Sequence, residues 1–345
     1  MTEVTTSARK DDHIRINLER DVQSDMVSTG LEQLYFEHQA LPEIDVAAID
    51  TTLTVFGREL SAPLLISCMT GGTARAGRIN RALANVAQQA GVALGLGSMR
   101  AALEQPDTVA SFQVREVAPD VLLLANLGAV QLNYGVGVSD CRRIVEMARA
   151  DALVLHFNAL QEAVQPEGDT DFSGLLAKVD QVCTALARDG VPVVAKEVGW
   201  GFSEETCRLL AAAGVSAIDV AGAGGTSWSQ VEMHRADDET DKKVAAAFVD
   251  WGIPTVEALR NARSGAPEII TIASGGLHDG VEVAKCIALG ASLAGIARPF
   301  LEAAVLSPEH VLKVVRVIEN QLRVSMFCAG SADICALQST PLLRR

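Results

Sequence analysis

Aromatic side chains are scarce in this chain of 345 residues: three Trp, two Tyr and nine Phe. With so few, and with Ala, Val, Leu and Gly filling a hydrophobic half of the composition, the chain reads as helices on a parallel sheet rather than a β-sandwich. Basic charge is also short. Lys and Arg number 29 against 43 Asp and Glu, a net charge of −14, which argues against a nucleic-acid partner because that needs a basic face. A local basic pocket for a small anion stays open. No apolar run reaches the length of a bilayer span, and the start "MTEVTTSARKDDHIRIN" lacks the apolar core of a signal peptide. The seven cysteines are scattered without a CxxC pair, as reduced thiols buried like small apolar side chains would be. These absences predict a cytoplasmic protein with no membrane partner.

What is present is a repeat of apolar stretches, each followed by a helix-like segment. The stretches are "LLISC" (64–68), "VALGLGS" (92–98), "VLLLANL" (121–127), "ALVLHFN" (152–158), "PVVAKEV" (192–198), "AIDVAGA" (217–223), "IITIASG" (269–275) and "LAGIAR" (293–298). Eight such units, at a spacing of roughly 25 to 40 residues, predict an α/β fold of the (β/α)8 TIM-barrel type over residues 61–345. A doubly wound open sheet would read the same within one unit. The count of eight and the polar strand ends favour closure. Residues 1–60 form an N-terminal extension carrying the basic pair Arg9-Lys10, by itself a solvated tail and, taken with the motifs below, an arm that closes over an anion. The connection at 228–250 is unusually long, either a lid or interface or a solvated excursion. Neither segment reads as a separate domain.

In a barrel of this kind the chemistry gathers at the C-terminal ends of the strands. There the sequence places Met69-Thr70-Gly71-Gly72, Ser98-Met99-Arg100, Asn126, then His156, Asn158, Gln161 and Glu162, Lys196-Glu197, Gly224-Gly225-Thr226, Gly275-Gly276 and Ala297-Arg298. "SGGLHDG" after strand seven and "GIARPF" after strand eight suit a phosphate, because glycine lets backbone N–H groups approach it. The bland alternative is a pair of tight turns. Lys196 suits an anionic ring atom such as flavin N1, with a Lys196–Glu197 salt bridge as the structural alternative. "MTGGT" would lay backbone amides against the ring edge.

Together "RKDDHI", "MTGGT", "GLGS", "ANLGA", "LHFNALQEAVQPEGD", "AKEVGWG", "AGAGGTSW", "ASGGL" and "GIARPFL" resemble the type 2, FMN-dependent isopentenyl-diphosphate delta-isomerases, in order from residue 9 to about residue 330. The resemblance implies FMN contacts at Thr70, Gly71, Gly72, Ser98, Asn126, Lys196, Thr226, Gly275, Gly276, Ala297 and Arg298. It implies substrate contacts at Arg9, Lys10, Ser98, Arg100 and Gln161, and a magnesium ligand at Glu162. It further implies NADPH as the reductant of FMN, an isoprenoid diphosphate as substrate, and a homo-oligomer, a tetramer or octamer. Three positions depart from the family: Met99 stands for its usual glutamine, Ala221 for a frequent serine and Ala159 for a frequent proline. The first would weaken a substrate contact and the second a hydrogen bond to FMN.

Moving a double bond needs a proton added at one carbon and removed at another. His156, Asn158 and Gln161 are the catalytic candidates, but an amide has no usable proton equilibrium, so Gln161 and Asn158 orient rather than titrate. His156 either supports the site from behind or touches substrate. The expectation is that reduced FMN carries the acid–base work, while Mg²⁺ at Glu162 and the Arg9-Lys10 pair clamp the diphosphate. Two other functions fit the same barrel. One is an FMN-dependent 2-hydroxy-acid oxidase, disfavoured because "AGAGGTSW" lacks the His and Arg that chemistry needs. The other is a catalytically silent binding module.

Overall fold

The computed structural model describes residues 6–344, so the first five residues of the expected extension and Arg345 lie outside the described residues. Eight parallel strands close into a barrel: β1 Leu64–Ile66, β2 Ala93–Gly95, β3 Leu123–Gly128, β4 Ala152–Phe157, β5 Val193–Glu197, β6 Ala217–Asp219, β7 Ile270–Ser274 and β8 Leu293–Ile296. Closure is made by β8 against β1, with Ala294, Gly295 and Ile296 in register with Leu64, Leu65 and Ile66. The open-sheet reading is thereby excluded. Several strands are shorter than their apolar stretches. Beyond the ladder the chain turns inward and the loops bond to one another, as Gly97 N–H does to Thr70 O (3.1 Å) and Met99 N–H to Asn126 O (2.8 Å).

Side chains alternate along each strand. Leu64 and Ile66 face the helices, in the outer core, while Leu65 joins Ala93, Leu124, Val154, Val194, Ala217, Ile272 and Leu293 inside the barrel. One more alternation along each strand gives the next inward position: Ser67, Gly95, Asn126, His156, Lys196, Asp219, Ser274 and Gly295. Every one is polar or glycine. This is the physical reason that apolar strands deliver polar side chains to one rim: two residues separate the packed core from the mouth. Register agrees, since His156 pairs with Lys196 and Lys196 with Asp219 on neighbouring strands.

The extension seals both ends. A hairpin, Leu53–Val55 with Arg58–Leu60, sends Val55 and Leu60 into the inner core and closes the N-terminal end. The helix Thr6–Glu19 lies at the other end, packed on the helix Trp228–Arg235 through Ile16, Val22 and Val231. The long connection after β6 is therefore packed along Trp228–Arg235, while in Glu239–Ala246 only Ala245 is buried. A short strand, Leu34–Phe36, pairs antiparallel with Leu342–Arg344. All seven cysteines are free thiols, and no helix among the described residues is long and apolar enough to cross a membrane.

Candidate active site

A cavity of about 270 Å³ opens at the C-terminal mouth of the barrel. Its wall takes Arg9, Lys10, Thr70, Ser98, Arg100, Asn126, His156, Asn158, Gln161, Glu162, Lys196, Thr226, Gly275, Gly276, Ala297 and Arg298 from separate stretches of the chain, all of them expected site residues. Gly71 and Gly72 are not on that wall. A Cβ on Gly71 would lie 1.9 Å from the Phe112 ring, and the Gly72 N–H already donates to Ser111 Oγ at 2.8 Å. The smallness of Gly71 therefore serves packing, and the Gly72 N–H is held by the protein itself. Met99 also leaves the wall: it is fully buried in the core between strands and helices.

At the β7–β8 end the wall is backbone. Gly275 and Gly276 have φ of 100° and 71°, and a Cβ at either would strike the backbone of the loop after β6, 2.0 Å from Gly222 O and 2.5 Å from Gly224 O. Arg298 donates through Nε to Glu302 (2.9 Å), leaving its Nη1 buried without a partner. Glycine backbone beside an unpaired guanidinium nitrogen suits a phosphate group, so these residues fit the phosphate of FMN. On the barrel floor Lys196 Nζ donates to Asp219 Oδ2 (2.8 Å) and Ser274 Oγ (3.3 Å). Glu197 does not pair with it. That carboxylate turns back to accept the N–H groups of Val198 and Gly199 at 2.7 Å each, and that of Trp200, while burial pushes its carboxyl up to about 7.

His156 is fixed by a relay. Asn126 Nδ2 donates to Leu96 O (3.1 Å), which turns its Oδ1 toward His156 Nδ1 at 2.8 Å. The imidazole therefore carries its proton on Nδ1 and a lone pair on Nε2. Burial, with Lys10, Lys196 and Arg9 adding to it, depresses its pKa to about 3. His156 is therefore a neutral acceptor at the cavity wall.

The opposite end is built from charge. Burial, then Arg9, lower the Lys10 ammonium to about 7, and its Nζ donates to Ser98 O. Arg100 is held between Glu104 (2.6 Å) and Asp169. Glu162 accepts from Asn158 Nδ2 at 2.8 Å and from the Asp169 N–H at 2.7 Å, and burial raises its carboxyl above the usual range. Gln161 Nε2 donates to Glu232 Oε1 at 2.9 Å. Glu232 has a side chain with 0% exposure, faces His13 Nε2 at 3.0 Å and accepts from Arg235 Nε at 2.7 Å. Burial alone would raise Glu232, but His13, Arg235 and Gln161 outweigh it and hold the carboxyl at about 2.

No group of three or more His, Cys, Asp or Glu among the described residues could hold a metal. A single carboxylate with spare lone pairs does fit Mg²⁺, which keeps waters and takes one or two protein oxygens alongside substrate phosphates. Glu232, Asp169, Asp219 and His13 escaped the sequence reading as site residues. Two of them left local signals: Asp219 stands one alternation beyond Ala217 on its strand, and Arg9, His13 and Asn17 follow helical spacing and all line the cavity.

Residues 141–344 match the model of the FMN-dependent dehydrogenase family. Proteins named isopentenyl-diphosphate delta-isomerase are similar along nearly the whole length. That of Nostoc sp. is 51% identical, covering 99% of this chain and 96% of that protein. Those of Synechocystis sp. (50%, covering 99% and 97%) and Rickettsia bellii (49%, covering 97% and 96%) are close to it. Among solved structures, a lactate oxidase of Pediococcus acidilactici superposes with a TM-score of 0.67 at 15% identity, covering 98% of this chain and 90% of that one. A mandelate oxidase does so with 0.61 at 18%, covering 99% and 93%. At such identities these structures bear on the barrel alone. The full-length relatives and the flavin-barrel match together establish that the chain belongs to the FMN-dependent, type 2 isopentenyl-diphosphate delta-isomerase family.

Proposed function

We propose that the protein interconverts isopentenyl and dimethylallyl diphosphate, with FMN held on the barrel floor and Mg²⁺ at Glu162. The observation that carries this reading is that one cavity is lined both by Gly275, Gly276 and Arg298, suited to one phosphate, and by Arg9, Lys10, Arg100 and Glu162, suited to a metal-bound diphosphate. FMN would rest on Gly275, Gly276, Ala297, Arg298, Thr226, Lys196, Asn126, Ser98 and Thr70. Reduced FMN, regenerated by NADPH, supplies acid–base chemistry that the cavity's side chains lack. Arg9, Lys10 and Arg100 neutralise the diphosphate, and Glu162 gives one hard oxygen to Mg²⁺. Glu232 stays ionised and fixes the Gln161 amide, which orients the alkene without titrating. His156 presents a neutral Nε2 acceptor, and Asn158 ties Gln161 to Glu162 through its amide at 3.2 and 2.8 Å. None of these groups is a strong acid placed against an uncharged alkene.

The reaction is redox-neutral, so one anaerobic reduction of the flavin should support many turnovers of isopentenyl diphosphate, and in D₂O the newly protonated carbon should carry deuterium. Consumption of NADPH one for one with product would sink the isomerase reading in favour of an oxidoreductase on this barrel.

A further inference from the structure

The helix Ala159–Val164 brings a third polar side chain to the cavity wall besides Gln161 and Glu162. Gln165, its C-terminal cap, is 5% exposed and lines the cavity. It stands four residues beyond Gln161 and three beyond Glu162, so all three share one side of the helix. The first two are engaged by protein partners: Gln161 with Glu232 and Asn158, Glu162 with Asn158 and the Asp169 N–H. Gln165 Nε2 is buried with no partner at all. An amide donor left unpaired in the interior costs more than an ordinary hydrogen bond returns, so it calls for an acceptor from outside the chain.

Nearby acceptors do not answer it. Asp169 is taken by Arg100 and Gln131, and Glu232 by His13, Arg235 and Gln161. The free Oδ1 of Asn158 is itself without a partner, so the two do not meet. We propose that Gln165 is a substrate-binding residue whose Nε2 donates to an oxygen of the bound diphosphate. This rests on the function proposed above and adds to it a neutral donor at the anionic end of the substrate. Such a donor fixes where the oxygens sit without adding charge against Lys10, whose ammonium is already crowded by Arg9 and Arg100.

The test uses FMN-loaded protein with Mg²⁺ and inorganic pyrophosphate as probe, read by calorimetry, together with steady-state isomerisation. Gln165→Met, which removes the donor at similar volume, should weaken pyrophosphate about tenfold and raise KM with little change in kcat. Gln165→Glu, which sets a carboxylate against the anion, should weaken it more, and Gln165→Asn less. FMN content and the thermal midpoint should stay at wild-type values in the Met variant, which separates a binding role from a structural one. Wild-type pyrophosphate affinity in folded Met and Glu variants would overturn the inference while leaving the function standing. Absence of both pyrophosphate binding and turnover in the wild type would overturn the function, and this inference with it.

Discussion

Where the β7 and β8 loops close the cavity its wall is peptide backbone, and where the Ala159–Val164 helix meets the N-terminal helix its wall is a set of paired charges. Gly222, Gly224, Gly275 and Gly276 touch across two loops through main-chain atoms, with nothing that can rotate out of the way. The other end is held by long side chains: Glu232 with His13, Arg235 and Gln161, and Asp169 with Arg100 and Gln131. A backbone wall fails abruptly when a carbon is added. A charge network should instead respond by degrees to pH and to the loss of one partner.

The sharpest break in that comparison is Gly276→Ala. The new Cβ would fall 2.5 Å from Gly224 O on a residue with φ of 71°, so the two loops must part. FMN content after purification should fall more than about tenfold, read by flavin absorbance, because backbone strain adds to the lost contacts. Retention of full FMN occupancy would show that this wall yields after all.

Glu232→Gln probes the charged end and should act next most strongly. It leaves Arg235 and His13 facing a neutral amide in a buried site, a loss of about 3 kcal/mol for breaking a buried ionic contact. Urea unfolding measures that. The Gln161 amide loses its charged acceptor, and misplacement of a positioning group can cut kcat about 100-fold. Unchanged kcat with lowered stability would confine Glu232 to a structural role.

A smaller effect belongs to Lys10. Its ammonium is lowered to about 7, so it loses its proton as pH rises through 7, whereas a bound diphosphate favours the charged form. Pyrophosphate affinity should therefore fall about tenfold between pH 7 and pH 8.5, with proton uptake on binding. Lys10→Arg should flatten that profile, since a guanidinium stays charged. A wild-type profile as flat as the variant's would remove Lys10 from the anion contact.

Met99→Gln should do least to function. Met99 is fully buried away from the cavity, so restoring the family's glutamine would insert an amide into the core. We expect about 1–2 kcal/mol of destabilisation and a KM within about twofold of wild type. A large fall in KM would mean that glutamine here reaches the substrate.

The same contrast explains what could be read from the chain. The backbone end is encoded locally, as "SGGL" after one strand and "GIARPF" after the next, and alternation carries Lys196 and His156 to the inward rim. The partners that tune these groups are remote. Asp219 lies 23 residues from Lys196 and Glu232 lies 71 from Gln161, joined only by closure of the barrel and docking of helices. At "MTGGT" the structure adds a packing reason for glycine, since Gly71 makes room for the Phe112 ring. Lys196–Glu197 looked like a pair, yet neighbours on a strand point to opposite faces, and the carboxylate went to its own loop.

The pairing of Leu34–Phe36 with Leu342–Arg344 sets an order of events during synthesis. The strand nearest the start of the chain has its partner some three hundred residues downstream, and the Thr6–Glu19 helix waits for Trp228–Arg235. At roughly 5–20 residues per second, the lead-in spends on the order of 15–60 s outside the ribosome before its last seat exists. Leu31 and Leu34, buried in the finished protein, are exposed for that interval. The Trp228–Arg235 seat of the helix that carries Arg9 and Lys10 emerges before β7 and β8, which complete the barrel. The charged end of the cavity therefore gains its seat before the glycine end exists, and the lead-in strand, which waits for Leu342–Arg344, offers a nascent-chain chaperone its longest opportunity.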